Sequence, residues 1–572
     1  MAWYDEAVFY HIYPLGLCGS AKQNDGVTRE NHFDKLNEWI GHIKKIGCNA
    51  IYIGPLFESV GHGYETTDYR MVDRRLGTNE DFKAYVKKCH SEGIRVIVDG
   101  VFNHVGREFF AFRDLREHRE NSRYKDWFCN VNFWNNNEYD DHFSYDNWGG
   151  YNLLVKLNQR NPEVTNYIYD VIRFWVKEFD IDGIRLDAAD VLDFDFMKGI
   201  RQVANEVKPD FWLMGEVIHG DYGRWANGDM LHSVTNYELH KGLFSGHNDH
   251  NYFEIAHTVQ RLQGICGNVK LYTFVDNHDV ARIYNKLNNK AHMYPVWLLL
   301  YGLPGIPSIY YGSEFAIDGA KEKYSDDSLR PCLELSDYKT SYTDNEITAL
   351  TAKLGAIHQQ YKELSYGNYE QLLLTNRQFA FARILDGKAV IVAVNNDDNP
   401  ADLTIRVPVN ASQATDLLKV REKTEEEKMA EQAEALKELL LSLDQTRETA
   451  AKEASVLFQS AEELALECRK AKDLPAFFDE IKSAADKSPD GSVSDTLVKD
   501  FRKNTEELCT SIEDRIAELT AALASFKKAA AVSDPSSSAT PVCADKEAGI
   551  HLENGNIHLH LPANRGTMIY VC

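Results

Sequence analysis

The run IRVIVDGVFNH, residues 94–104, changes character partway along its length. Its first part is apolar and β-branched, which is typical of a strand buried on both faces. Its second part, from Asp99 to His104, collects polar side chains where that strand is expected to end. Parallel sheets carry their functional groups at this end, so the run predicts one such strand with chemistry at its C-terminus.

Seven further runs of this kind occur in the first 345 residues. The eight runs are Ala7–Pro14, Ala50–Pro55, Ile94–Phe102, Gly183–Ala189, Phe211–Val217, Ser233–Glu238, Leu271–Asp279 and Ser308–Glu314. Segments with helical spacing separate them: Asn31–Ile46, Asn79–Glu92, Pro162–Phe179, Phe194–Val207 and Lys290–Tyr301. Eight βα units predict an α/β protein with a catalytic (β/α)8 TIM barrel over residues 1–365. The segment 103–160, rich in Asn, Asp and aromatic residues, predicts a small lobe over the barrel mouth.

The remaining residues fall into two parts that differ in amino-acid composition and pattern. Residues 366–418 and 548–572 alternate apolar and polar side chains, which predicts a C-terminal antiparallel β-sandwich domain. Residues 419–547 hold 21 alanines, one glycine and neither Tyr nor Trp, with apolar side chains at 3-4 spacing. Breaks at Pro475 and at Ser488–Gly491 predict a helical hairpin or three-helix bundle, inserted between two strands of the sandwich domain.

The inserted segment leaves its origin open. It is either a native accessory domain or a foreign helical domain grafted into a loop, and the abrupt change of composition favours grafting. Because it lacks the Trp and Tyr platforms that stack on sugars, we expect it to bind a protein partner rather than a carbohydrate.

Charge and cysteine usage exclude several classes of function. The formal net charge of −24 disfavours nucleic acid and anionic membrane surfaces as partners. The chain has no run of eighteen apolar residues, which argues against a membrane span. Ten cysteines are scattered singly without a CxxC pair, and the N-terminus lacks a charged-then-apolar leader. These features predict a cytoplasmic location and no zinc site.

Three carboxylates follow three different predicted strands: Asp187 in GIRLD, Glu216 in GE and Asp279 in DNHD. Because the C-terminal ends of barrel strands open onto one mouth, we expect these side chains to converge. Arg185 lies two residues before Asp187, so both project to the same face of a strand. The set suits cleavage of a glycosidic bond, in which one carboxylate attacks the anomeric carbon while another protonates the leaving oxygen. The close spacing required, about 5–5.5 Å, predicts retention of configuration.

The surrounding charges would tune these groups. Arg185 is expected to keep Asp187 ionised, and crowding by anions to keep Glu216 protonated. His104 and His278 are suited to hydrogen-bond sugar hydroxyls. Each residue type also has an ordinary structural role open to it, as a helix cap, an ion pair or a partner of a backbone carbonyl. Their joint occurrence at strand ends in an eightfold pattern favours the catalytic interpretation.

Four segments, in order, resemble the signature regions of the α-amylase family, glycoside hydrolase family 13. They are DGVFNH (99–104), GIRLDAAD (183–190), GEVIH (215–219) and FVDNHD (274–279). The segments GYETTDY (63–69), KLNQRNPEV (156–164) and GIPSIYYGSE (305–314) support this resemblance, which covers about residues 5–408 and 548–572. It implies Asp187 as nucleophile, Glu216 as general acid/base and Asp279 as the residue that stabilises the transition state.

The resemblance also implies substrate contacts. Tyr64 matches the family's sugar-stacking tyrosine, while Arg185, His104 and His278 match its hydroxyl-binding residues. Arg330 resembles a further substrate contact, with a surface ion pair as its alternative. The family needs no organic cofactor, but many members bind calcium. Asn103 matches a calcium ligand in some of them, or it hydrogen-bonds its own loop.

Within the family, KLNQRNPEV is similar to the neopullulanase and cyclomaltodextrinase branch, which acts on cyclodextrins, pullulan and short maltodextrins. The barrel begins by Val8, without the N-terminal β domain of that branch, so a plain maltodextrin-cleaving amylase is an alternative. We therefore predict an enzyme that cleaves α-1,4-glucosidic bonds of maltodextrins, starch-like glucans or cyclodextrins. The alternatives are a transglycosylase of this family and a catalytically silent amylase-like scaffold that presents the helical segment.

Overall fold

The computed structural model describes residues 2–27, 31–267, 269–323, 325–419 and 550–572. The chain divides into two compact units, of which the first comprises Met1–Val420 and Glu547–Cys572. The second unit, Arg421–Lys546, and with it the predicted helical hairpin or bundle, lies outside the described residues.

Eight parallel strands form the main sheet of the first unit. In chain order, β1 to β8 are Phe9–Ile12, Ala50–Ile53, Arg95–Gly100, Gly183–Leu186, Trp212–Gly215, Ser233–Val234, Tyr272–Phe274 and Ile306–Tyr310. They pair in the order β6-β5-β4-β3-β2-β1-β8-β7, and a parallel bridge between Thr235 and Tyr272 joins the two edges. The predicted (β/α)8 barrel is therefore confirmed.

Helices follow most of these strands. The longer ones are Phe33–Lys45, Asn79–Ser91, Pro162–Phe179, Phe194–Val207, Tyr237–Asn248, Tyr252–Cys266, Met293–Gly302 and Glu346–Gln360. Short helices are Pro14–Leu17, Ile283–Lys286, Ser341–Asp344 and Lys362–Tyr366. Between β5 and β6 the described chain has a single 3-10 turn, Tyr222–Arg224, in place of a crossover helix.

All eight strands are shorter than the predicted runs, and in two of them an asparagine side chain turns the chain soon after the strand ends. In the run Ser233–Glu238 the strand ends at Val234, and Thr235 makes only a single bridge. The Asn236 side chain then accepts from Leu239 N at 3.1 Å and caps the helix that begins at Tyr237. The run to Asp279 leaves the sheet after Phe274. There the Asn277 side chain accepts from Asp279 N at 2.9 Å, which turns the chain at the barrel mouth.

The interior of the barrel is filled at one end by side chains from its strands. This cluster is Ala7, Phe9, Ala50, Tyr52, Ile97, Trp212, Met214, Tyr272, Phe274 and Ile306. Every member is at most 3% exposed. The barrel is therefore a packed core, and the polar site residues lie at the C-terminal ends of its strands and in the loops at its mouth.

The small lobe follows β3 and lies beside the mouth. Its sheet consists of His104–Gly106, Asn147–Trp148 and Tyr151–Lys156, and its helix is Phe110–His118. A hairpin of Phe57–Ser59 and Thr66–Val72 carries the loop that contains Tyr64.

The C-terminal part is the predicted antiparallel sandwich. One sheet comprises Asn368–Leu374, Gln378–Leu385, Lys388–Asn395, Arg565–Val571 and Ala414–Asp416. The other comprises Ala401–Arg406, Asn556–Leu561 and Ile550–Glu553. Apolar side chains from both sheets, among them Ile391, Leu403, Leu559 and Ile569, form its core. Strands from before and after the insertion pair in both sheets, so the two flanks fold as one sandwich.

No helix within the described residues is long and apolar enough to cross a membrane.

Candidate active site

One buried guanidinium gathers the carboxyl groups at the ends of β3, β4 and β5. Arg185 is 3% exposed, and its Nη1 donates to Asp187 Oδ1 at 2.9 Å and to Asp99 Oδ1 at 2.8 Å. Its Nη2 lies 2.8 Å from Glu216 Oε2. The convergence expected of Asp187 and Glu216 is thus produced by a shared cation at the barrel mouth.

Asp99 is the third partner of Arg185, and we predicted no role for it from the sequence. It is 1% exposed and accepts from Tyr52 Oη at 2.8 Å and from Tyr64 Oη at 3.2 Å, besides Arg185. A carboxylate with three donors is held rigidly and orients the guanidinium toward Asp187. Its position within DGVFNH, at the end of a buried strand, was a signal that could have identified it.

The third predicted carboxylate approaches from the loop after β7. Arg330 Nη2 donates to Asp279 Oδ1 at 3.1 Å, and its Nε donates to the carbonyl oxygen of His278 at 3.0 Å. His278 Nε2 lies 3.1 Å from Asp279 Oδ2 and also contacts the Tyr64 hydroxyl. The Asp279 side chain is 34% exposed, so it faces the opening while its neighbours hold it.

Glu216 has further contacts that sequence reasoning missed. Its Oε2 accepts from the backbone N–H of Ala188 at 3.1 Å, and its Oε1 accepts from the Tyr237 hydroxyl at 3.3 Å. Asn277 Nδ2 in turn donates to that hydroxyl at 3.0 Å. These contacts depend on the early end of β6 and on the turn at Asn277, which the periodicity of the sequence does not reveal.

A cavity of about 300 Å³ opens over these groups. Its lining contains the predicted residues Tyr64, His104, Asp187, Glu216, Asp279 and Arg330. The unpredicted lining residues are His62, Trp148, Leu154, Ala188, Asp190, Ile218 and Asp326. The remaining predicted residues, Arg185 and His278, contact this lining from behind. The structure therefore brings all eight predicted catalytic and substrate-contact side chains together.

Burial and charge act in opposite directions on the two central carboxyls. Burial raises the pKa of Asp187 well above its ordinary value, while Arg185 lowers it and Glu216 raises it. Burial likewise raises the pKa of Glu216 against the lowering effect of Arg185. Arg185 thus favours the ionised form of Asp187, as expected, and burial opposes it. Two carboxyls this close to one cation titrate as a coupled pair, in which ionisation of one disfavours ionisation of the other.

Burial favours the neutral form of the two predicted histidines of the site. Burial lowers the pKa of His104 to about 3, and it lowers the pKa of His278 well below its usual range. His104 Nε2 has no hydrogen-bond partner among the described residues, although its ring lines the cavity. A neutral imidazole with one nitrogen unbonded can bond a sugar hydroxyl without adding charge to the site.

Asn103 does not define a calcium site. Its side chain is fully buried, its Nδ2 lies 3.2 Å from His104 Nδ1, and its Oδ1 has no hydrogen-bond partner among the described residues. Calcium takes six to eight oxygen ligands, with carboxylates prominent among them. The described part of the chain contains no group of three or more His, Cys, Asp or Glu side chains placed to hold a metal ion. The described residues therefore supply no cluster of carboxylates for a calcium ion at Asn103.

A (β/α)8 barrel with paired acids at its mouth is the arrangement of a glycoside hydrolase. Residues 33–355, more than half of the chain, match the family model described as the catalytic domain of alpha amylase. The chain therefore belongs to the α-amylase family, glycoside hydrolase family 13, and it is a glycoside hydrolase.

Similar proteins are named for action on α-glucans. The chain is 32% identical over 418 residues to a cyclomaltodextrinase from Thermoanaerobacter pseudethanolicus, covering 69% of this chain and 71% of that protein. It is 30% identical over 432 residues to an intracellular maltogenic amylase from Bacillus subtilis, covering 71% of each. A solved structure of the Nostoc punctiforme debranching enzyme, soaked with acarbose, has a TM-score of 0.64 at 28% identity and covers 73% of this chain and 95% of that chain. These likenesses support an α-glucan hydrolase.

Proposed function

We propose that this enzyme hydrolyses α-1,4-glucosidic bonds of maltodextrins, starch-like glucans or cyclodextrins with retention of configuration. The observation that carries the proposal is the single guanidinium of Arg185, which contacts both Asp187 and Glu216. A shared cation holds the two carboxyl groups close together, which fits the separation of about 5–5.5 Å that retaining enzymes use. Inverting enzymes hold theirs further apart, because a water molecule must fit between the base and the sugar.

In the first step, the Asp187 carboxylate attacks the anomeric carbon while Glu216 transfers its proton to the leaving glycosidic oxygen. This forms a covalent glycosyl ester and releases the shortened glucan. In the second step, Glu216 removes a proton from a water molecule, whose oxygen attacks the anomeric carbon and frees Asp187. The first step removes the proton from the pair and the second step restores it, so the proton count returns to its starting value over the whole cycle.

The remaining side chains bind and orient the sugar. Asp279, exposed at the opening, stabilises the positive charge that develops on the sugar ring. The Tyr64 ring is the stacking surface for the glucose unit, and the His104 and His278 imidazoles bond its hydroxyls. Arg330 holds Asp279 at 3.1 Å, so its contribution combines substrate contact with positioning.

Release of reducing sugar from maltohexaose and from cyclodextrin tests this function. We expect activity in the wild type, loss of at least about a thousandfold in Asp187→Asn, and no change in Asp195→Asn. Asp195 is a matched control because its side chain is 90% exposed on a helix surface. Activity of Asp187→Asn equal to that of the control would overturn the assignment of the nucleophile. A soluble, inactive wild type would favour the silent scaffold, and glycosyl transfer to an added sugar in preference to water would favour a transglycosylase.

The segment 419–547 is proposed as a separate domain that binds a protein partner in the cytoplasm. Support comes from its flanks, since the strands on either side pair within one sandwich. Deleting residues 421–546 and joining the ends with a short turn should leave a soluble enzyme with unchanged kcat/KM for maltohexaose. Loss of the soluble barrel after this deletion would contradict an independent insert.

A further inference from the structure

Three histidines lie on the outer face of the three-stranded sheet of the sandwich. The first strand after the insertion, Ile550–Glu553, pairs antiparallel with the next strand, and the register sets His551 directly opposite His558. His560 follows two residues after His558, so its side chain points to the same face. All three side chains are exposed, those of His551 and His560 by 74% and 48%.

The spacing of the opposed pair suits one metal ion. The Cβ atoms of directly opposed residues in antiparallel strands lie about 4.5–5.5 Å apart. Imidazole nitrogen binds zinc at about 2.0–2.1 Å, so the rings of His551 and His558 can both turn onto one ion between them. Imidazole is also the side chain that zinc, copper and nickel share as a ligand. The pair uses no cysteine, so it differs from the cysteine-based zinc sites that the sequence argues against.

The third strand of the sheet, Ala401–Arg406, holds the ring of His558 in a way that suits a metal ligand. His558 Nδ1 lies 3.1 Å from the hydroxyl of Thr404, which leaves Nε2 as the nitrogen that can bind an ion. His560 is held similarly, with its Nδ1 2.7 Å from Asp402 Oδ1. Metal-binding histidines commonly bond a neighbour through one ring nitrogen and the metal through the other, because the neighbour fixes the tautomer and orients the ring.

We propose that His551 and His558 bind one divalent transition-metal ion, such as nickel or zinc, with water completing its coordination. Two protein ligands are fewer than the three or four of catalytic and structural zinc sites, so the bound ion should exchange readily. The ion would join the first strand after the inserted segment to its neighbour. Because Ile550–Glu553 has four residues and lies at the edge of its sheet, this link should stabilise its pairing.

Calorimetric titration of nickel into the metal-free, full-length chain tests the site. The wild type should bind nickel at a site whose affinity falls by at least about tenfold in His551→Gln and in His558→Gln. His142→Gln is the matched control and should keep the wild-type affinity. His142 is 69% exposed and lies 3.5 Å from a carboxylate oxygen of Asp140, much as His551 lies 3.9 Å from one of Glu553.

Thermal unfolding of the same proteins shows whether the ion joins the two strands. Folding brings the two rings together, so nickel should raise the unfolding temperature of the wild type and of His142→Gln more than that of His551→Gln or His558→Gln. Calcium prefers oxygen ligands and should not distinguish these proteins. All of them should keep the wild-type kcat/KM for maltohexaose, so the result does not depend on the proposed function.

Three outcomes would overturn the site. They are equal nickel affinity in the wild type and both variants, a loss of affinity in one variant without the other, and an equal rise in unfolding temperature in all four proteins.

Discussion

Replacing Arg185 by leucine perturbs the electrostatic centre of the site most directly. The guanidinium is 3% exposed and lies within 2.8–2.9 Å of carboxylate oxygens of Asp99, Asp187 and Glu216. Removing one partner of a buried ion pair typically costs about 3–5 kcal/mol, because the other charge stays buried without compensation. We expect the free energy of unfolding of Arg185→Leu to fall by about 3–5 kcal/mol at about pH 7.5.

This loss should depend on pH with a definite sign. Arg185 lowers the pKa of Asp187 and of Glu216, so in its absence both values rise further above normal. A carboxyl whose pKa is raised on folding binds more protons in the folded state, so stability falls as pH rises through the folded value. The deficit of Arg185→Leu should therefore be smallest near about pH 4 and grow toward neutral pH.

Urea unfolding followed by tryptophan fluorescence at both pH values measures the effect. The matched control is Arg173→Leu, since Arg173 also pairs with two carboxylates, Asp170 at 3.0 Å and Glu206 at 2.8 Å, but is 40% exposed. Exposed pairs contribute about 0–1 kcal/mol, so the control should lose little at either pH. Equal losses in the two variants, or a deficit for Arg185→Leu that does not shrink in acid, would refute the buried charge cluster.

Three further substitutions probe the surroundings of the pair. Tyr237→Phe removes the hydroxyl that donates to Glu216 at 3.3 Å and thereby favours the ionised form of that carboxyl. Without it the pKa of Glu216 should rise, so the basic limb of the kcat/KM–pH profile should move to higher pH. An unmoved limb would contradict this contact. Tyr64→Ala should lower kcat/KM for maltohexaose by at least about tenfold. Tyr64→Phe keeps the ring and should recover part of this loss. An equal loss in both variants would assign the effect to the hydroxyl instead of the ring. Gly215→Ala would place a methyl group 2.7 Å from Ala189 Cβ. Thermal unfolding should therefore show a free energy of unfolding lower by about 1–3 kcal/mol. An unchanged unfolding temperature would contradict this close packing.

The sequence was sufficient for the parts of the site that depend on local pattern. Asp187 and Glu216 directly follow short apolar strands, so strand periodicity alone placed them at the barrel mouth. The sandwich was likewise predicted although a segment of 129 residues interrupts it, because the alternation of apolar and polar residues resumes after that segment.

The features of the site that the sequence did not predict depend on contacts between distant segments. The contact of Tyr237 with Glu216 requires β6 to end at Val234, and that end is set by the Asn236 cap rather than by hydrophobic alternation. The pairing of Trp148 with Tyr151 required the register of the hairpin around Gly149 and Gly150, whereas composition indicated no more than an aromatic lobe. Burial, too, is a property of the fold, which is why the raised pKa of Asp187 could not be inferred from its neighbouring arginine.

Covalent trapping of the glycosyl-enzyme tests the central claim most directly. A fluorinated α-glucosyl fluoride, incubated with Glu216→Gln, should lose fluoride and add one glycosyl group to the protein, because the weakened acid/base cannot activate water for release. Peptide mass spectrometry should locate that group on Asp187, and the adduct should be absent when Asp187→Asn is added. A glycosyl group on another residue, or turnover that releases the inverted anomer without any adduct, would contradict the account.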